Sequence, residues 1–197
     1  ADNIGHQCGG FSVTWQGVSG NGEFAQATSI WAGIKNSAPN AVLATQLDNI
    51  KIEDHDLAIV VIGELPYAEG FGDIRDGENL IIESGSQING QINVSEPYGS
   101  SIELKNLHPE DYATVKKLTD KNLSVVVILI SGRTLVVNSE LSHASAFVAA
   151  WLPGTEGQGV SDVLFGDFNF QGKLSFEWPK TTCQNTPALF PQGFGLR

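Results

Sequence analysis

Leu57-Ala-Ile-Val-Val-Ile62, followed at once by Gly63-Glu-Leu-Pro-Tyr-Ala-Glu-Gly-Phe-Gly-Asp73, decides the fold. An unbroken apolar run of this length reads as a strand buried on both faces, the pattern of a parallel sheet. The glycine-rich loop after it leaves the carboxyl edge of that sheet, where open α/β sheets bind their ligands. Glu64, Glu69 and Asp73 crowd this loop. A carboxyl placed among others and partly covered by Tyr67 and Phe71 has the surroundings that raise its pKa and let it donate a proton near neutrality. Carboxylates that are simply solvated are the competing reading. Gly70 and Gly72 on either side of Phe71 let the loop bend or close over a ligand, although such turns are common without function.

Outward from this strand the chain alternates apolar runs with helical stretches. Thr28 or Ser29 can cap a helix through about Asn36 that Pro39 ends. Residues 41–44 read as a short strand, and the polar segment 48–56 has room for a short helix before Leu57. The segment between Gly63 and Leu107 is too long for an ordinary connection, and its middle, residues 85–101, reads as an insertion. His108-Pro-Glu-Asp opens a helix to about Lys121, with acids in its first turn and lysines near its end, as the helix dipole favours. Strands are expected at 124–130, 134–137, 146–151 and 173–178, with a helix near 157–165. The pattern predicts α/β: a three-layer α/β/α sandwich with a mostly parallel sheet.

Composition narrows the partners. With 197 residues and 41% hydrophobic content, the chain can bury one sizeable core, and residues 1–197 are read as a single domain. Lys and Arg total 11 against 22 Asp and Glu, a net charge of −11 that repels phosphate backbones and anionic membranes. Nucleic acid is not expected as a partner, and no apolar stretch approaches the roughly 20 residues of a membrane span. Cys8 and Cys183 stand at opposite ends without metal-ligand spacing, and two ordinary buried thiols are the simpler reading than a disulfide. His6, His55, His108 and His143 are scattered, so no metal site is expected. No cofactor is expected either. The sequence contains no methionine and opens on a loop-like Ala-Asp-Asn-Ile-Gly, as a processed or excised piece would.

Trp15, in the polar turn Thr14-Trp-Gln-Gly17, can offer an indole face to the apolar C–H face of a sugar ring, or can plug the sheet. Trp31, Trp151 and Trp178 fall in expected helix or strand and read as packing. The segment Pro153-Gly-Thr-Glu-Gly-Gln-Gly159 enters a helix but has neither the Lys-Ser/Thr of a phosphate loop nor the dinucleotide fingerprint, so tight packing accounts for it better than anion binding. Ser131-Gly-Arg133 is not a nucleophile elbow.

Six runs together resemble the second domain of glycoside hydrolase family 3, most closely its exo-acting β-glucan glucohydrolases and β-glucosidases. They are Ala1-Asp-Asn-Ile-Gly-His-Gln-Cys-Gly-Gly10, Thr14-Trp-Gln-Gly17, Gly63-Glu-Leu-Pro-Tyr-Ala-Glu-Gly70, Leu129-Ile-Ser-Gly-Arg133, Ala149-Ala-Trp-Leu-Pro-Gly-Thr-Glu-Gly-Gln-Gly159 and Asp162-Val-Leu-Phe-Gly-Asp-Phe-Asn-Phe-Gln-Gly-Lys-Leu174. The resemblance implies a retaining glycosidase in which an N-terminal TIM-like barrel, absent from this sequence, holds an aspartate nucleophile. It places the general acid/base on Glu69, with Glu64 as the competing carboxylate, and the aromatic sugar platform on Trp15. Phe11 stands where plant relatives carry another tryptophan.

The implied ligand is a β-glucan oligosaccharide or β-glucoside, and the acidic surface and polymeric substrate class suggest a secreted or periplasmic protein. The family's sandwich begins with a strand just before Ala-Asp-Asn-x-Gly, so the chain is expected to lack its first strand or to continue from an upstream part. Two rivals stand beside this reading: a non-catalytic carbohydrate-binding or interaction module on the same fold, and a flavodoxin-like nucleotide binder. The missing phosphate-loop pattern counts against the second.

Overall fold

In the computed structural model, residues 1–75, 81–88, 91–95, 97–183 and 185–196 are described. Their centre is a parallel sheet of three strands, β1 (Leu57–Gly63), β4 (Ser124–Ile130) and β5 (Ala146–Trp151), in the order β1-β4-β5. The register runs from Leu57 against Ser124 to Gly63 against Ile130, and from Val126 against Ala146 to Leu129 against Ala149. All three carboxyl ends therefore lie along one edge.

Side chains alternate across the sheet, as the two-residue period of a strand requires. Val125, Val127 and Leu129 of β4 and Ile62 of β1 face Leu104 of α3 (Leu104–Leu107) and Val115 and Leu118 of α4 (Pro109–Thr119). Ile128 and Ile130 face the other way, onto Ile30 and Ile34 of α2 (Ile30–Ser37), with Val160 and Leu164 of α6 (Gly157–Phe165) beside them. Two apolar cores on opposite faces of one sheet make the expected three-layer α/β/α sandwich. α1 (Ile4–Cys8) and α5 (Asn138–Leu141) are single turns.

Local chemistry explains the helix ends. Ser29 Oγ accepts the Ala32 N–H at 3.0 Å, so of the two candidate caps the serine starts α2. α4 begins with Pro109, carries Glu110 and Asp111 in its first turn and Lys116 and Lys117 in its last. α2 and α6 approach closely because both contacts are glycines: a Cβ on Gly33 would lie 2.8 Å from the Gly157 carbonyl oxygen. The Pro153–Gly159 segment spends its backbone on this packing, with Gly157 donating to Thr28 and Gly154 to Gln7. Trp31 and Trp151 are half-buried against the two cores, and Trp178 is buried in one of them, its indole N–H donating to the Leu135 carbonyl at 2.7 Å.

Several expectations need correction. Residues 41–44 form no strand and run as irregular, mostly exposed chain. Residues 134–137 and 173–178 form no ladder either: each contributes one isolated bridge, Val136 with Glu103 and Trp178 with Phe190. Leu135, Val137 and Trp178 are buried all the same. Short apolar runs report burial, and burial does not require a paired backbone. The expected short helix in 48–56 is two 3₁₀ turns, Leu47–Asn49 and Ile52–Asp54. The stretch read as an insertion contributes to an antiparallel pair, β2 (Ile81–Ile88) with β3 (Gln91–Ser95), while residues 89, 90 and 96 lie outside the described residues. Cys183 is exposed rather than buried, in a polar irregular segment, and both cysteines are free thiols.

Candidate active site at the carboxyl edge of the sheet

β1 ends at Gly63, whose φ of +147° only glycine adopts comfortably, and a Cβ there would lie 1.8 Å from the Ile130 carbonyl oxygen. That carbonyl accepts the Glu64 N–H at 2.9 Å, carrying the strand pairing one residue into the loop. The Glu64 side chain consequently turns inward, and the residue is 4% exposed. One of its oxygens is ion-paired with Arg133 Nε at 2.8 Å, and the other accepts the Tyr67 hydroxyl at 2.9 Å. The Arg133 guanidinium lies 4.2 Å from the Tyr67 ring centre and 5.5 Å from that of Tyr98.

Electrostatics follow from this burial. Desolvation pushes the Glu64 carboxyl above the ordinary range, and Arg133 and Tyr67 oppose it by stabilising the carboxylate. Desolvation and the neighbouring Glu64 charge raise Tyr67 strongly, so its hydroxyl remains a donor. Tyr98 is pushed up to about 12, chiefly by burial. It accepts the Leu65 N–H at 2.6 Å and meets His108 Nε2 at 3.0 Å. The carboxyl shielded by Tyr67 is thus Glu64, not Glu69.

Five residues later the loop reverses outward. Ala68 is buried, and its N–H donates to Gln16 Oε1 at 2.7 Å. Glu69 follows with φ of +43°, in the left-handed region that non-glycine residues rarely occupy, and opens the 3₁₀ turn Glu69–Gly72. Its side chain is exposed, and one carboxylate oxygen accepts the indole N–H of Trp15. Phe71 stands edge-on to Trp15, ring centres 6.3 Å apart at 73°. Trp15 is 39% exposed and Phe11 69% exposed in the same turn, which the Phe11 N–H closes onto the Trp15 carbonyl at 2.9 Å.

Three non-glycine residues with positive φ, Phe11, Glu69 and Trp151, gather near this edge. Trp151 terminates β5 where the β4–β5 register shifts between Leu129 and Ile130. Such strain marks places the surrounding fold holds in one geometry, and it concentrates at functional sites.

The two residues singled out for catalysis and sugar binding, Glu69 and Trp15, are therefore brought into direct contact. Asp73 is drawn away into a surface ion pair with Arg75 at 2.5 Å. Sequence reasoning did not connect Gln16, Tyr98 or Arg133 with this loop. Arg133 was in principle legible: it follows β4 as Glu64 follows β1, and residues just past the ends of adjacent parallel strands are neighbours. Among the described residues no three His, Cys, Asp or Glu side chains are grouped to hold a metal.

The sequence model of the glycosyl hydrolase family 3 C-terminal domain matches residues 2–197. The chain belongs to this family. As a family 3 C-terminal domain it is similar to the exo-1,3/1,4-β-glucanase of a Pseudoalteromonas species, with 38% identity, a TM-score of 0.78, and coverage of 100% of this chain and 23% of the other. It is 28% identical to the lysosomal beta glucosidase of Dictyostelium discoideum over 92% of this chain and 21% of that protein. A periplasmic beta-glucosidase of Salmonella typhimurium is 41% identical over 38% of this chain and 10% of its own length. The matched stretch of this chain covers less than a quarter of each of these proteins.

Proposed function

We propose that residues 1–197 form one α/β-sandwich domain of a retaining, exo-acting β-glucosidase or β-glucanase, supplying Glu69 as general acid/base and Trp15 as sugar platform. The observation that carries this reading is the exposed Trp15–Glu69 contact at the carboxyl edge of the sheet. A proton donor beside a flat aromatic face suits a glycosidic oxygen whose sugar ring rests on the indole. Glu64, buried and paired, has no open face to present, whereas Glu69 does.

In the mechanism, Glu69 first protonates the leaving oxygen while a carboxylate nucleophile attacks the anomeric carbon, forming a glycosyl-enzyme. The leaving alcohol departs, and Glu69, now ionised, takes a proton from the water that releases the sugar. Retaining geometry needs the two carboxyls about 5–5.5 Å apart. The chain contributes one of them, and an aspartate on an N-terminal barrel domain contributes the other, so the chain alone is expected to be inactive. A β-glucoside or β-glucan oligosaccharide is the substrate, and a secreted or periplasmic setting agrees with the periplasmic relative.

Complementation tests the reading. The purified barrel domain added to this chain restores hydrolysis of an aryl β-glucoside, and Glu69→Gln removes it. Full activity of Glu69→Gln on natural glucans, together with loss in Glu64→Gln, refutes the assignment. Sugar binding without hydrolysis in the complemented pair favours a carbohydrate-binding module.

A further inference from the structure

We infer that Glu64, Arg133 and Tyr67 form a positioning clamp that sets where Glu69 meets Trp15; its functional meaning rests on the proposed role of Glu69. Glu64 and Arg133 are anchored by two adjacent strand ends, and the Glu64 carboxylate holds the Tyr67 hydroxyl at 2.9 Å. Tyr67 stands two residues before Glu69, and its surroundings leave it little room. A Cβ on Gly10 would lie 2.1 Å from the Tyr67 carbonyl oxygen, and one on Gly72 would lie 2.3 Å from the Tyr67 ring. The guanidinium stacked on the ring closes another side. The sheet edge is thereby transmitted through one ion pair, one hydrogen bond and a confined ring to the base of the Glu69 turn.

An ion pair buried merely for stability has an apolar alternative of comparable energy. Here the pair also directs a third side chain, and a misplacement of about 1 Å at a reacting group costs up to ~10²-fold in rate. Tyr67 and Arg133 are positioning residues, acting through the loop and not on the substrate.

The test reads geometry without catalysis. In the ¹H–¹⁵N spectrum of this chain, the Trp15 indole resonance reports its carboxylate acceptor, and Glu69→Gln marks the position it takes without that charge. Tyr67→Phe and Arg133→Met are expected to move the resonance most of the way to that mark, while the Gly33 and Gly157 amides between α2 and α6 stay in place. Arg133→Lys is expected to bring it part of the way back. An indole resonance left unmoved by both Tyr67→Phe and Arg133→Met overturns the inference, and Tyr67→Phe decides alone if the arginine variant fails to fold. If Glu69→Gln spares hydrolysis in the complementation assay, the catalytic role fails while the indole result still stands or falls by itself.

Discussion

Gln16 Oε1 accepts the Ala68 N–H at 2.7 Å, so the turn that bears Trp15 and the loop that bears Glu69 are tied one residue away from the Trp15–Glu69 contact on each side. Two segments 52 residues apart along the chain thus share a fixed base. The carboxylate and the indole project from it together.

General acid assistance matters most when the leaving group is a poor one. If the domain acts as proposed, Glu69→Gln in the chain joined to its barrel partner is expected to lower kcat for alkyl glucosides and oligosaccharides by about 10²–10⁴-fold. An activated dinitrophenyl glucoside needs no protonation to depart and should form its glycosyl-enzyme at near the normal rate. Pre-steady-state release of the phenol checks this, and an equal loss for both substrate types argues against the role.

Trp15→Ala removes the aromatic face and the donor to Glu69 together, while Trp15→Phe keeps a smaller face without the N–H. Loss of an aromatic contact is worth about 0.5–1.5 kcal/mol, roughly two- to tenfold in affinity. KM or an inhibitor Kd should rise more in the alanine variant than in the phenylalanine one. The kcat should fall in both, because both lose the hydrogen bond that orients the carboxylate.

Gly63→Ala forces a methyl group into the Ile130 carbonyl at a φ of +147°. Strain and overlap together should cost roughly 3 kcal/mol or more, a fall in Tm of roughly 6–12 °C for a chain of this size. Gly22→Ala, with nothing within 4 Å of the added methyl and no positive φ, should change stability by less than about 1 kcal/mol. Calorimetry on the two variants separates a required glycine from a tolerant one.

Glu140 is fully buried on α5, and neither of its carboxylate oxygens meets a partner from another described residue. Burial pushes its carboxyl up, against the attraction of Lys105. A carboxyl with a raised folded pKa binds more protons in the folded state, so stability falls as pH rises from the ordinary carboxylate range through the folded value. Glu140→Gln should therefore raise Tm at neutral pH, by about 2–4 °C per kcal/mol of relieved desolvation. The advantage should shrink as pH falls through the raised folded value and be gone once pH reaches about 4, the ordinary carboxylate range. A Tm difference that does not vary with pH contradicts this account.

The legibility of the chain divides along physical lines. Strands β1, β4 and β5 and helices α2, α4 and α6 were all readable, because their apolar periods and caps are local properties of ten or so residues. The expected strands at 134–137 and 173–178 failed because Leu135, Val137 and Trp178 are apolar for the sake of the core, and a buried residue needs no ladder. Glu69 and Trp15 were named from motifs alone, each in a separate turn.

By itself the sequence determined the three-layer class, the edge at which the loops converge, and the family whose motifs run through the whole chain. Only the tertiary structure decided which carboxylate of the 63–73 loop is offered outward. Glu64 and Glu69 are the same residue type five positions apart in a flexible text. Their fates diverge because the Ile130 carbonyl and Arg133, brought alongside by the parallel register, draw Glu64 in. Gln16, more than fifty residues upstream, holds the backbone where Glu69 turns out. Those partners are distant in sequence and adjacent only in the fold, and solvent access and charge pairing depend on adjacency in space.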